Sequence, residues 1–417
     1  MAFDDLVRRA PMVGPDFDQL ERYYENEVRL DALGISLPPQ ARIIEMVAPF
    51  PKMAVDVLAE VLSPEGYLVQ SDNGDAVTEL LRTWWQANDL DTTCRMAITE
   101  ALVQGEAFWL VSSDGDSVRV TAHSARGMAV TRDAMGGVAE ALRLFKANGD
   151  DMACHYLPGE NDYYVRTRSG LWKLVERRAT GATRPAVVPM LNRTRLGDDH
   201  GRSEIREIVK ISDAASRSLT NLQVAQELLS MPLRYIIGKN AGNQFGGDEG
   251  KKITAYFGHL LTGPEGAKID QLAGADLSQI VNSYKLYAQQ ISAVTGIPPS
   301  MLGISTDNPS SAEAMRVAKE RLITKAELKQ EMFGDALEDV ARLELEMMGE
   351  SVEGLETLEM QWRDPATPSV SAQAANALQA QAQGVIGAET ARDFMRLSPE
   401  QKARETARSR DVDTMTG

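Results

Sequence analysis

Cysteine is almost absent from this chain: Cys94 and Cys154 are the only two in 417 residues, and no CxxC occurs. That pattern supports neither a zinc ribbon nor a disulfide framework, and it predicts buried thiols. Long apolar runs are missing as well. None approaches the roughly 18 to 20 residues a membrane span needs, and the amino terminus, with Asp4, Asp5, Arg8 and Arg9 among few apolar residues, has no signal-peptide core. No membrane partner is expected, and synthesis in the cytoplasm is. Positive charge is in deficit, with 44 Lys and Arg against 60 Asp and Glu and a net charge of −16. A protein that grips nucleic acid neutralises phosphates with cations, so this balance disfavours a static DNA clamp; it equally serves plain solubility.

The residues of common catalytic chemistry are also missing. A phosphate-cradling loop reads GxxxxGK[ST]; the nearest approach, Gly250-Lys251, has Phe245 where the first glycine belongs and Lys252 where the Mg²⁺-binding hydroxyl belongs. Asp198-Asp199-His200 offers ligand types for a divalent ion, but no second histidine or acidic cluster has ligand spacing around it, which predicts a polar loop. The four histidines are scattered, and no GxSxG elbow occurs. No cofactor, metal or catalytic residue is expected.

What is present is ordinary soluble composition, 43% apolar and 25% charged, on a chain long enough for two or three cores. Residues 1 to about 88 read as mostly helical, broken at Pro38-Pro39 and Pro49-Phe50-Pro51, and a further helix is expected from about Asp91 to Gln104. Between Gly105 and Leu191, short runs such as Phe108-Trp109-Leu110-Val111 and Tyr163-Tyr164-Val165 are separated by Asp114-Gly115, Gly136-Gly137, Asn148-Gly149 and Ser169-Gly170. Those are hairpin signals, and they predict an antiparallel meander. A helix is expected to begin at Ser203 and stop before Pro232. Strands are expected at Leu233 to Ile237 and Ala267 to Leu272, around a Gly-rich turn at 242–250 and a short helix near 253–260. Leu358, Met360 and Trp362 alternate with polar residues as one half-buried strand. Short helices are expected over Ser371 to Gln383 and Glu389 to Arg408. The fold class is α+β, mainly helical.

The last third carries the clearest pattern. Asp276 and Gln279 form a capping box, apolar residues recur from Leu277 through Ile291 to Val294, and Gly296 supplies a left-handed stop. A loop braced by Pro298, Pro299 and Pro309 follows. Ser310 and Glu313 then form a second capping box, opening a helix without proline to beyond Met348, roughly 55–60 Å at about 1.5 Å per residue.

At these residues the sequence resembles the portal proteins of tailed double-stranded DNA bacteriophages. The match rests on Ile291-Ser292, Thr295-Gly296-Ile297-Pro298-Pro299, Leu302-Gly303 and Asn308-Pro309-Ser310-Ser311-Ala312-Glu313-Ala314-Met315-Arg316, and it continues into Lys329-Gln330, Phe333-Gly334 and Trp362-Arg363-Asp364-Pro365. Weaker similarity runs through Trp85, Asn88, Leu90 and Asp91 and through Gly201-Arg202-Ser203-Glu204-Ile205. The resemblance implies a wing (1–202), a first stem helix (203–230), a small βαβ clip (231–275), a second stem helix (276–296), a tunnel loop (297–310), a long tunnel helix with a returning wing strand (311–365), and a crown and tail (366–417). It implies a homo-oligomeric ring, by resemblance twelve-membered, at one capsid vertex of a virion. Its partners would be a terminase motor, head–tail adaptors, capsid and scaffold proteins, and double-stranded DNA that passes through weakly bound. An acidic balance suits such a conduit, since a sliding polyanion must not stick.

Two features would carry that function. The loop residues Ile297, Pro298, Pro299, Ser300, Met301, Leu302, Gly303, Ile304, Ser305, Thr306, Asp307 and Asn308 include no cation, so the resemblance makes Met301, Leu302 and Ile304 steric contacts at the narrowest part of a channel. Arg321, Lys325 and Lys329 stack at i, i+4 and i+8, which costs a helix a few tenths of a kcal/mol per pair. A solvated face, acidic partners on an adjacent subunit and a DNA contact all fit that stripe. Two rival functions remain at this level: an enzyme acting on nucleic acid, and a capsid or tail protein without a channel.

Overall fold

The computed structural model describes residues 3–10, 15–30, 44–70, 74–230, 234–237, 268–271, 277–304, 312–350, 355–366, 370–387 and 391. Helices α1 (Phe3–Arg9), α2 (Pro15–Tyr24) and α3 (Phe50–Val61) come first, with Pro51 in the first turn of α3, where its missing N–H costs nothing. Strand β1 (Pro64–Val69) interrupts what the sequence predicts to be mostly helix; α4 (Gly74–Ala87) and α5 (Leu90–Gln104) follow it.

The region expected to be one meander is two sheets. In the first, β2 (Glu106–Ser113) lies between β3 (Val118–Ser124) and β9 (Val187–Leu191), with Trp109 opposite Ala122 on one side and Val188 on the other. The run Ala107 to Val111 is wholly buried, so a strand in this place needs a ladder on both edges to satisfy its backbone. The second sheet is a true meander of β4 (Met128–Arg132), β5 (Val138–Ala147), β6 (Asp150–Leu157), β7 (Glu160–Arg166) and β8 (Trp172–Ala179). Both cysteines are buried free thiols, and burial pushes Cys154 up to about 11.

The helix expected from Ser203 begins six residues later: α6 spans Val209–Ser230. Residues 203–208 are turns because other bonds claim their backbone. Glu204 N donates to Leu102 O at 3.0 Å, and Ser203 Oγ accepts from Ile205 N at 3.1 Å. One stripe of α6 carries hydroxyls at Ser212, Ser216 and Thr220, which hold the extended segment before α3. Ala48 N donates to Ser216 Oγ and Met46 N to Thr220 Oγ1, both at 3.0 Å, while Ser212 Oγ donates to Ala48 O at 3.3 Å.

Strands β10 (Arg234–Ile237) and β11 (Lys268–Gln271) pair antiparallel, where a βαβ insert was expected. The Gly-rich turn and short helix expected between them lie outside the described residues. Helix α7 spans Ser278–Thr295 and ends at Gly296 with φ +80°, as the left-handed stop requires; Asp276 lies outside the described residues. Helix α8 (Ala312–Met347) follows a short 3-10 turn at Pro299–Leu302, and Ser310, the cap expected from the sequence, is likewise outside them. Strand β12 (Leu358–Trp362) does not join the meander: it pairs antiparallel with β1, Tyr67 opposite Met360. Helix α9 (Val370–Ala382) is the last described element; the run expected from Glu389 to Arg408 falls almost wholly outside.

α8 has two different halves. From Val317 to Arg321 it is exposed, whereas Phe333, Leu337, Val340, Ala341, Leu343 and Leu345 are buried against β2, β9 and β12. The central core therefore joins α3, α5, the three-stranded sheet and the second half of α8.

Candidate functional site

The residues singled out in the last third meet at one joint, where α7 ends, the loop begins and α8 passes alongside. Gly296 closes α7, and only glycine fits: its φ is positive, and a Cβ there would stand 3.1 Å from Arg321 Cγ. The turn after it is pinned by side chains. Ser292 Oγ donates to Ile297 O at 2.6 Å, and Thr295 Oγ1 donates to Ile291 O at 2.7 Å. Ile291, Thr295, Ile297 and Leu302 are all buried, Ile291 completely, and Ile291, Ile297 and Leu302 belong to the same core as Leu322 and Ala326 of α8.

That burial corrects the expectation for Leu302. At 4% exposure it belongs to the core of its own chain and cannot press on DNA. Ile297 and Pro298 are buried with it, Met301 and Ile304 are half-buried, and Pro299, Ser300 and Gly303 face solvent. The apolar residues of the loop serve as its root, because a 3-10 turn with Met301 N donating to Pro298 O folds them back inward. Ser305, Thr306, Asp307 and Asn308 lie outside the described residues.

The basic stripe finds partners within its own chain, although Arg321 at its start remains exposed. Arg321 Nη1 donates to Ala293 O, and Lys325 Nζ donates to Thr295 O at 3.3 Å, so two cations cap the carbonyl end of α7, where the helix dipole favours positive charge. Lys325 Nζ also lies 2.6 Å from Glu204 Oε2. Lys329, 2% exposed at its side chain, stands 3.1 Å from Glu204 Oε1 and donates to Asn192 Oδ1. Asn192 in turn donates from Nδ2 to Glu204 Oε1 at 3.1 Å and to Arg202 O at 2.6 Å. One carboxylate thus holds two lysines that would otherwise repel.

The electrostatics follow from that arrangement. Burial pushes the Glu204 carboxyl up, but the ammonium groups of Lys325 and Lys329 and the hydrogen bonds from Lys325 and Asn192 outweigh it and bring the group down to about 2. Burial lowers Lys329, with Glu204 opposing. Sequence reasoning missed Glu204 and Asn192. The available signal was the like-charge stacking itself, which is unfavourable on a bare helix and implies an acidic partner somewhere.

Glu204 is held in place by a close backbone crossing. A Cβ on Gly201 would fall 1.6 Å from Gly105 O, so the irregular segment that leads to Glu204 passes directly over the end of α5. Asn192 N donates to Gly105 O at 2.8 Å across the same crossing. Farther along α8, Glu344 is fully buried with neither carboxylate oxygen hydrogen-bonded, and burial pushes it up to about 8. His200, from the polar loop, stands 3.4 Å from Glu106 Oε2, whose hydrogen bond raises its pKa. Among the described residues no group of three His, Cys, Asp or Glu is placed to hold a metal ion.

This architecture, two helices and a rooted loop locked onto an α+β body, can be set beside known proteins. A family model described as phage portal protein, SPP1 Gp6-like, matches residues 13–410. The chain belongs to this family. It is 34% identical over 423 residues to the portal protein of Mycobacterium phage D29, covering 95% of this chain and 86% of that one. The portal protein of Mycobacterium phage L5 is also 34% identical, over 96% of this chain and 86% of its own. Among solved structures, the neck of a native GTA particle computed with C12 symmetry matches 95% of this chain and 98% of that chain with a TM-score of 0.54. The neck of an empty GTA particle computed with C6 symmetry covers 93% and 94% with a TM-score of 0.53. Both are 14% identical in sequence, so they speak for the α+β portal fold. Family membership makes this chain a structural component of a phage particle and not an enzyme.

Proposed function

We propose that this chain is one subunit of a ring, twelve-membered by resemblance, that sits at one capsid vertex and forms the channel through which double-stranded DNA enters and leaves. A separate terminase motor drives entry, head–tail adaptors dock on the ring, and capsid and scaffold proteins surround it during assembly in the host cytoplasm. The observation that carries this reading is the family match over residues 13–410. The surface supports it. On α7 the outward residues Asn282, Ser283, Leu286, Gln289, Gln290 and Val294 are exposed and uncharged, with Lys285 the one exposed charge beside them, a face suited to packing on protein. The net charge of −16 lets a polyanion slide without a phosphate grip.

In this reading α6 and α7 are the stem helices, β10 and β11 belong to the clip, and residues 1–202 with β12 form the wing. The tunnel loop spans Ile297 to Asn308, with Ile297, Pro298 and Leu302 as its buried root and the residues after Gly303 as the part that narrows the channel. Arg321 and Lys325 fix the angle between α7 and α8, Lys329 anchors α8 to Glu204 and Asn192, and together they set where the loop leaves the body.

Negative-stain images of the purified protein test the ring; closed rings with a central hole are expected. Deleting Thr306 and Asp307 should leave ring yield unchanged and reduce the packaged DNA protected from nuclease. A strict monomer at every concentration refutes the ring, and unchanged packaging by the deletion refutes the tunnel loop.

A further inference from the structure

Among the described residues of the three sheets formed by β1–β9 and β12, the outer edge of β8 stands open where the other edges are covered. The backbone groups along a sheet edge must find partners or face water, and an exposed edge is a template for another strand. Side chains or helices close the other edges of the three wing sheets. Arg9 donates to Val130 O of β4 at 2.7 Å. Asn88 accepts from Val120 N and donates to Val118 O of β3. Thr78 Oγ1 accepts from Val69 N of β1, Glu338 Oε1 accepts from Met360 N of β12, and β9 lies along α8.

β8 differs. Among the described residues it pairs with β7 alone, and no side chain takes a backbone group from any of its eight residues. Seven of the eight are exposed. Leu171 beside it is 70% exposed, Leu174 41% and Val175 51%, with Val175 extra in the register opposite Tyr163 and Tyr164. The strip from Arg166 to Arg178 carries five cations against Glu176 alone, on a chain of net charge −16; Arg166, Arg177 and Arg178 pair with Asp151, Asp162 and Glu176, while Arg168 and Lys173 have no carboxylate partner among the described residues. Charges and one bulge discourage indiscriminate pairing, but they leave a matched strand free to add.

We propose that β8 is a docking edge for an extended, acidic segment of a different polypeptide, which adds as a sixth strand to the meander. Its apolar residues cover Leu174 on one face, beside the Phe3–Trp172 contact, and its carboxylates meet Lys173 on the other, beside the Arg178–Glu176 pair. The register sets these faces, since Lys173 and Arg178 lie opposite Val165 and Asn161, and Trp172 and Leu174 opposite Arg166 and Tyr164. A second copy of this chain is a poorer match. Its other wing edges are already closed, and pairing β8 with β8 would bring two basic strips together.

The test uses the full chain and a fluorescent peptide of β8's length that alternates glutamate and valine. It should bind, and hydrogen exchange should slow at the amides of 172–179. A lysine–valine peptide and a glutamate–valine peptide N-methylated at alternate amides should each bind about tenfold more weakly or worse. Leu174→Glu should weaken binding by a similar factor, with an unchanged melting temperature showing that the sheet is intact. Equal binding of the lysine–valine or N-methylated peptide, protection elsewhere than β8, or no binding at all overturns the proposal. Protection of β8 by concentrated protein alone also overturns it, since that would make a second copy the occupant.

Discussion

Lys325 Nζ stands 2.6 Å from Glu204 Oε2 across 121 residues of sequence, and the same ammonium donates to the last carbonyl of α7. One side chain therefore ties α8, α7 and the segment before α6 together. Replacing Glu204 with Ala would strand two half-buried or buried lysines beside each other. A loss of about 3–5 kcal/mol is expected, read from urea unfolding midpoints at neutral pH.

The same group predicts a pH dependence. The Glu204 carboxyl falls from 4.5 to about 2 on folding, so its contribution is complete above pH 4.5 and is lost as pH falls through the range to about 2. Unfolding midpoints measured across that window should drop in the natural chain. Glu204→Gln should show a shallower drop over the same interval.

Glu344 works in the opposite sense. Its folded value of about 8 lies above 4.5, so the folded state keeps a proton that the unfolded chain releases. Stability should be highest below pH 4.5 and fall as pH rises towards 8, by at most about 1.4 kcal/mol per pH unit. Glu344→Leu should remove that slope and stabilise the protein by about 1–4 kcal/mol near pH 8. Denaturant titrations at acid and alkaline pH decide it; a destabilised Leu variant would mean that the buried carboxyl has a partner in solution.

Leu302 and Ile291 should respond alike, because both are core residues of the joint. Serine at either position removes apolar volume and buries a hydroxyl, costing about 2–5 kcal/mol. Ser300, exposed in the same turn, should tolerate alanine within about 0.5 kcal/mol. Melting curves of the three variants separate root from surface.

Gly201 tests the crossing beneath Glu204. Alanine there would place Cβ 1.6 Å from Gly105 O and force the two backbones apart, a cost of about 3 kcal/mol. Gly197, with nothing within 4 Å of its Cβ position, should accept alanine within about 0.5 kcal/mol. Thermal unfolding of the pair is the measurement.

By itself the sequence determined the local elements and the family. The apolar period of α7 and its Gly296 stop, the proline-free run of α8, and the turn pairs of the meander depend on contacts a few residues apart, which a linear reading captures. The separated motifs from Ile291 to Arg316 carried the portal resemblance for the same reason. Tertiary structure alone decided which strands share a sheet, where α6 begins, and which way the loop faces. β1 finds β12 nearly three hundred residues later, and residues 203–208 stay out of the helix because α5 claims the backbone of Glu204. Leu302 looked like a channel contact because an apolar loop residue gives no sign of the core it enters. The sequence left the partner of the basic stripe open because its carboxylate, Glu204, lies more than a hundred positions away, and the Gly105–Gly201 crossing brings it within reach. Long-range packing fixes such partnerships, and no periodicity along the chain encodes them.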